Sequence, residues 1–219
     1  MSMKAPVFPL GNVVFFPHTF LPLHVFEPRY RAMVVDALSG ERLIVVVLAR
    51  EERPPGRPPL IHPIGSVGRI EVAQRLEDGR FDIVLHGLSR VALGDLSAQP
   101  ADYFNVAVQP RGEMLPDLQD PRVADAKASF LMTARQYEEQ VLAGGMPADL
   151  LTEALPYPVL VNRAASILRV GVGSKQSLLE IDDVEARAAE VERWMSEQLE
   201  SYSSIERFGR RRPEDPRLN

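Results

Sequence analysis

At 219 residues, 45% hydrophobic and 25% charged, the chain has the composition of an ordinary globular protein and the length for one large domain or two small ones. With no cysteine it can hold neither a disulfide framework, nor a thiolate metal site, nor a cysteine nucleophile, which fits a reducing cytoplasm. A net charge of −5 counts against nucleic acid as a partner, because phosphate binding needs clustered Lys and Arg, and the basic run Arg210-Arg211-Arg212 is short.

No basic stretch leading into an apolar segment and a small-residue cleavage site opens the chain, and no apolar run approaches the ~18 residues of a membrane span. The expected setting is therefore cytoplasmic, with no membrane contact. Phe8 to Leu38 reads FPLGNVVFFPHTFLPLHVFEPRYRAMVVDAL. Its first part is extended and apolar, and Pro9, Pro17 and Pro22 confine it to short strands and edges, since proline cannot donate to a ladder. A turn at Leu10-Gly11-Asn12 precedes an extended Val13 to Phe16. Pro28 then stands at the first position of a helix, where its missing N–H would have had no intrahelical partner. Tyr30, Met33, Val34, Ala37 and Leu38 form one apolar stripe on that helix, and Gly40 is expected to close it in a left-handed cap.

Leu43 to Leu48, LIVVVL, is too short for a stable helix and reads as a strand buried on both faces. Glu51 to Pro59, with four prolines and a glycine, reads as a surface loop. Ile61 to Leu76 is extended again, and Gly65 and Gly68 within it suggest a bulge or a close backbone approach. Asp78-Gly79 predicts a type I′ hairpin. Phe81, Ile83 and Leu85 alternate on the return strand, a second turn at Gly87 leads into Arg90 to Leu93, and Phe104, Val106 and Val108 alternate on the last strand.

The period changes at Asp120, an N-cap followed by Pro121. Val123, Ala126, Phe130, Ala134, Tyr137 and Val141 make a helical stripe that runs to Gly144-Gly145. A second helix is expected over Leu150 to Leu155, ending at Pro156 and Pro158, and a third carries Leu160, Ala164, Ile167 and Leu168. Ser174 caps a short turn over Lys175 to Glu180. Asp182 or Asp183 caps a long last helix through Tyr202. The fold class is thus α+β: a small β barrel or sandwich with one early helix over 1–118, a helical bundle over 119–205, and an expected disordered tail over 206–219.

Four segments of this pattern, FPLGNVVFFPHTFLPLHVFEPRYRAMV, GSVGRI, DGRFDIVLHGLSRVAL and KQSLLEIDDVEAR, resemble the N-terminal substrate-binding domain of Lon proteases, over Val7 to about Tyr202. The resemblance implies a PUA-like β pseudo-barrel followed by a helical bundle, and a non-catalytic module that recognises unfolded or apolar polypeptide segments. A free-standing member of that family is expected, since these 219 residues hold no GxxxxGK[ST] phosphate loop and leave no length for a Ser-Lys peptidase. No cofactor, no metal and no catalytic residue are expected, and nothing in the sequence specifies an oligomeric state.

Phe15, Phe16, Phe20 and Phe26 are the candidate peptide-binding aromatics. Core packing is the default for most of them, yet in a strand over Val13 to Phe16 neighbours point to opposite faces, which leaves one free. Glu27 and Arg29, with Arg31, beside Tyr30 are candidates to grip a peptide terminus or carboxylate; the alternative is that they tie the helix to neighbouring loops. Arg90 is a candidate ligand contact or a half-buried arginine fixing a loop. His24 with Glu27 lacks the converging partners of a metal or acid-base site. Binding is expected by strand addition at an open edge or in an apolar groove between the two parts. The rival readings are an RNA-binding PUA-like module and, less favoured, an enzyme using the cleft between the parts.

Overall fold

The computed structural model describes residues 3–51, 57–99, 101–117, 119–142 and 150–210. The N-terminal part runs β1 (Met3–Leu10), β2 (Phe20–Val25), α1 (Pro28–Ser39), β3 (Leu43–Glu51), β4 (Leu60–Ile61), β5 (Ile64–Arg75), β6 (Phe81–Ala98) and β7 (Phe104–Pro110). Neighbouring strands follow the order β1-β7-β6-β5-β3, and a parallel pairing of β1 with β3 closes the ring. Closure removes the free edges that a flat sheet would present. β2 pairs with β6 outside this ring, and the short β4 pairs with β3.

Alternation decides which core each strand residue enters. Val45 and Val47 of β3 join Val7, Val67, Val91, Phe104 and Val106 inside the ring. Ile44 and Val46, on the opposite face, pack under α1 with Tyr30, Met33, Val34 and Ala37. LIVVVL is therefore buried on both faces, as its continuous apolar run predicts. The early strand was expected at an edge, but β1 has neighbours on both sides. Its prolines are tolerated because the two neighbours share it lengthwise: Met3 to Val7 pair with β7, Val7 to Leu10 with β3. Pro6 and Pro9 thus each lie where one flank alone is paired, so a missing N–H need not break a ladder.

Several local expectations are corrected. Val13 to Phe16 is not a strand. Gly40 closes α1 with φ −119 rather than in the left-handed region, which Arg42 occupies instead at φ 63. The hairpin at Asp78-Gly79 is present, but Gly79 alone takes positive φ, at 80, and its N–H bonds Leu76 O at 2.9 Å while Leu76 N–H bonds Arg80 O at 2.9 Å. That is a three-residue loop with glycine in the left-handed position rather than type I′. Gly87 makes no turn: β6 continues through it. Of the proline-rich loop, residues 52–56 lie outside the described residues, and β3 itself extends to Glu51.

The C-terminal part comprises α2 (Pro121–Gln140), α3 (Tyr157–Ile167), α4 (Val172–Glu180) and α5 (Val184–Arg210). Asp120 caps α2 by accepting Arg122 N–H at 2.9 Å, and Asp183 caps α5 by accepting from Glu185 N–H at 2.9 Å and Ala186 N–H at 3.1 Å. On α2, Leu131 is buried and Ala126 is exposed, so the stripe lies slightly off the predicted line. Residues 150–156 form turns rather than a helix, and Pro158 helps open α3 instead of ending its predecessor. Lys175 to Glu180 belongs to α4, which starts before Ser174 with Gly171 at its N-cap. The Gly144-Gly145 pair lies outside the described residues, as does 211–219 of the predicted tail; α5 continues past Tyr202 to Arg210.

The two parts are joined by adjacent side chains. Phe15 enters the core beneath α1, while Phe16 enters the helical core with Phe130, Tyr137, Leu160 and Leu178. Arg90 of β6 reaches across to donate to Leu179 O at 3.0 Å and Ile181 O at 2.9 Å, and Gln176 of α4 donates to Ile64 O at 3.0 Å. No helix among the described residues is long and apolar enough to cross a membrane.

Candidate functional site

Two concavities meet at Asn12, which lines both. The larger, about 690 Å³, lies between the segment Asn12 to Leu21 and the helical part, with Arg163, Ile167 and Lys175 on its far wall. The smaller, about 320 Å³, lies at the other end of β2 and is flanked by Leu23, His24, Phe26 and the start of α1. β2 runs from one to the other.

The wall segment of the larger concavity is held by hydrogen bonds to its backbone, two of them from side-chain hydroxyls. Thr19 Oγ1 donates to Phe16 O at 2.7 Å, Ser66 Oγ donates to Phe15 O at 2.6 Å, and His18 N–H bonds Gly87 O at 2.8 Å. His18 itself takes φ 61, so the chain reverses there in the left-handed region before β2 begins. Gly68 makes room for the Phe15 ring, since a Cβ on it would stand 2.6 Å from Phe15 Cε1. The Ser166 hydroxyl on the helical wall donates to Arg163 O at 2.7 Å and not to a base. Burial pushes the Lys175 ammonium pKa down, and burial is also the main cause that lowers His18.

At the smaller concavity Arg29 Nε donates to Glu27 Oε2 at 2.9 Å, and the guanidinium lies 4.5 Å from the Tyr30 ring centroid. Tyr30 in turn packs on Phe8, with ring centroids 4.4 Å apart. Tyr103 O–H donates to Asp36 at 2.7 Å, and burial beside that carboxylate pushes its phenol up to about 12, so it stays a donor. His24 bonds Asp82 through Nδ1 at 2.6 Å and Arg80 through Nε2 at 3.1 Å. The ring is thus engaged on both sides, between a carboxylate and a guanidinium. Among the described residues no group of three or more His, Asp or Glu is placed to hold a metal.

The predicted aromatics divide cleanly. Phe15 is 3% exposed and Phe16 0%, so neither is available to a partner, and the expectation that one of the pair stays free is corrected. Outside a strand, the two rings enter different cores instead of leaving one on the surface. Phe20 and Phe26 are 62% and 61% exposed, one beside each concavity. Tyr30 is buried, and Glu27 and Arg29 satisfy one another. Arg31 lies against Gly79, tying α1 to the hairpin. Arg90, 1% exposed, is a connector between the two parts and reaches neither concavity. Sequence reasoning missed His18, Arg163 and Lys175; no motif could have brought them together, because they come from a loop and two helices.

The open flank of β2 also has a definite pattern. Gly87 N–H bonds Thr19 O at 2.9 Å, which makes that pair hydrogen-bonded, and opposite pairs alternate in an antiparallel ladder. Leu21 and Leu23 then bond inward to Leu85 and Ile83, while the backbones of Phe20, Pro22 and His24 face outward. Pro22 removes one donor from that outer row.

The sequence model described as "ATP-dependent protease La (LON) substrate-binding domain" matches residues 4–197. Lon protease 2 of Syntrophobacter fumaroxidans is 30% identical over 209 residues, covering 94% of this chain and 26% of that protein. The chain spans about a quarter of the length of the curated relatives it matches. Among solved structures, the N-terminal domain of a Mycobacterium avium complex Lon protease superposes with a TM-score of 0.67 at 20% identity, covering 89% of this chain and 98% of that one. A Lon N-terminal domain protein from Xanthomonas campestris does so with a TM-score of 0.61 at 22% identity, covering 88% and 99%. At these identities the two structures speak for the fold.

Proposed function

Because the chain belongs to the family of Lon substrate-binding domains, we propose that it is a protein-binding module that takes up unfolded or apolar polypeptide segments along β2, without chemistry of its own. What matches is the substrate-binding domain, and no ATPase or peptidase region of the relatives falls in the matched part. The observation that carries the reading is the placement of Phe20 and Phe26, both more than half exposed, at the two concavities that β2 connects. Large exposed aromatics next to concave surface are the usual anchors of recognition.

Of the two binding modes, the groove is favoured over strand addition. The outward row of β2 loses a donor at Pro22, so a partner strand would meet an interrupted ladder. Side chains of an extended segment can instead enter the concavities on either side. Fluorescence anisotropy with labelled unfolded casein tests this. The wild-type chain should bind it in preference to a folded control. Phe20→Ala combined with Phe26→Ala should weaken binding at least tenfold, at about 1–2 kcal/mol per anchor, with the melting temperature nearly unchanged because both rings are exposed. Equal binding by the double variant, or none by the wild type, would remove the proposal.

A further inference from the structure

The larger concavity has a charge pattern that apolar recognition does not use. Its described lining includes Lys175, Arg163 and His18 and no Asp or Glu, in a chain whose net charge is −5. Lys175 Nζ donates to the backbone oxygen of Ser166 at 2.6 Å, so a full charge rests on a neutral acceptor in a part-buried position. Burial lowers its pKa and no neighbouring carboxylate acts to raise it. Arg163 is held by backbone carbonyls, donating from Nε to His18 O at 3.3 Å and from Nη1 to Leu150 O at 3.2 Å, which fixes where its guanidinium stands.

The group that complements this wall is a carboxylate. A part-buried ammonium without an anion carries an unrelieved desolvation cost, and a charge-assisted hydrogen bond to a carboxylate relieves it. The opposite wall is apolar, with Val14, Phe20 and Leu21. The occupant is therefore apolar with an acidic group in it. Asn12 borders both concavities, so a segment lying along β2 has a second concavity to run on into.

We propose that the larger concavity selects an Asp or Glu side chain within an apolar extended segment, with Lys175 as the specificity-determining residue. This rests on the reading that polypeptide binds along β2. The test uses the full chain and a labelled apolar peptide with a central Glu, against the same peptide with Gln, each with free and with amidated C-terminus. The Glu peptide should bind about tenfold tighter than the Gln peptide, irrespective of its C-terminus, and the difference should shrink with added salt. Lys175→Met should abolish most of the difference and Lys175→Arg should keep it, with circular dichroism reporting that each variant is folded.

Equal binding of Glu and Gln peptides overturns this inference alone and leaves apolar recognition standing. A preference that depends on a free C-terminus overturns it by assigning the cations to a chain end. Displacement of the peptide by a single-stranded RNA oligonucleotide, with salt-dependent affinity, overturns it in favour of a nucleic-acid surface. Binding of neither peptide overturns the polypeptide reading and this one with it.

Discussion

Arg90 shows what a single side chain does here. Enclosed with Arg187, it shares Glu113, at 3.5 Å from Arg90 Nε and 2.7 Å from Arg187 Nη1, and it meets Asp182 at 3.0 Å. Three backbone carbonyls, of Gly112, Leu179 and Ile181, complete its shell. Burial and the nearby Arg187 charge lower its pKa, and the two carboxylates act against that. Arg90→Ala leaves Glu113 and Asp182 with fewer partners and should cost about 3–5 kcal/mol in urea denaturation. Arg90→Lys should restore little, because one ammonium cannot span carbonyls that a planar fork reaches together; a loss under about 1 kcal/mol for the alanine variant would refute this account. The sequence makes Arg90 readable as either a ligand contact or a structural arginine. Arg187 carries no such signal, because its partners Glu113, Asn162 and Ile181 lie apart in the chain and no local spacing marks them.

At the scale of elements, periodicity was a good guide wherever one face of a strand or helix meets one core. It located the alternation of Phe104, Val106 and Val108, the stripe of α1 and the capped starts of α2 and α5. It failed where apolar residues reach a core without a regular element. Leu151 is buried and Leu150 and Leu155 pack beside it from a turn, so helical spacing there was coincidental. It failed likewise at Phe15 and Phe16, where anchoring by Ser66 and Thr19 side chains, 51 and 3 residues away, sets the backbone. Gly65 and Gly68 of β5 suggest a bulge or a close backbone approach; both are close approaches, and the register against β6 shifts between Val67 and Gly68. A Cβ on Gly65 would stand 2.6 Å from Val46 O, a backbone atom of the adjacent strand with no rotamer to move. Gly65→Ala should therefore destabilise by about 1–3 kcal/mol. Gly68→Ala should cost less, since its 2.6 Å obstacle is the Phe15 ring edge and the backbone oxygen of His86 stands farther off, at 3.1 Å. Denaturation midpoints in the opposite order would contradict the geometry.

For the whole molecule, the division into a β part and a helical part was legible from the change of period at Asp120, and the α+β architecture with its early helix is what the fold shows. The joint between the parts was not legible, because it is made of single side chains drawn from remote positions. Phe16 and Arg90 leave the β part to contact the helical one, and Gln176 reaches back from α4 to Ile64 of β5. Neither part can open without exposing groups that the other satisfies. We therefore expect one calorimetric transition, with van't Hoff and calorimetric enthalpies equal; two separated transitions would show the parts to be independent. The same joint sets the order of events during synthesis. The strand ring has all its members once Pro110 has left the ribosome, but the core that receives Phe16 draws on residues from Val123 to Leu199. At ~5–20 residues per second, the Phe16 side chain waits on the order of ten seconds for the residues that enclose it. The aromatic that locks the finished molecule is thus an uncovered apolar group on the nascent one, and for that interval the chain presents to its surroundings the kind of surface it is proposed to recognise in others.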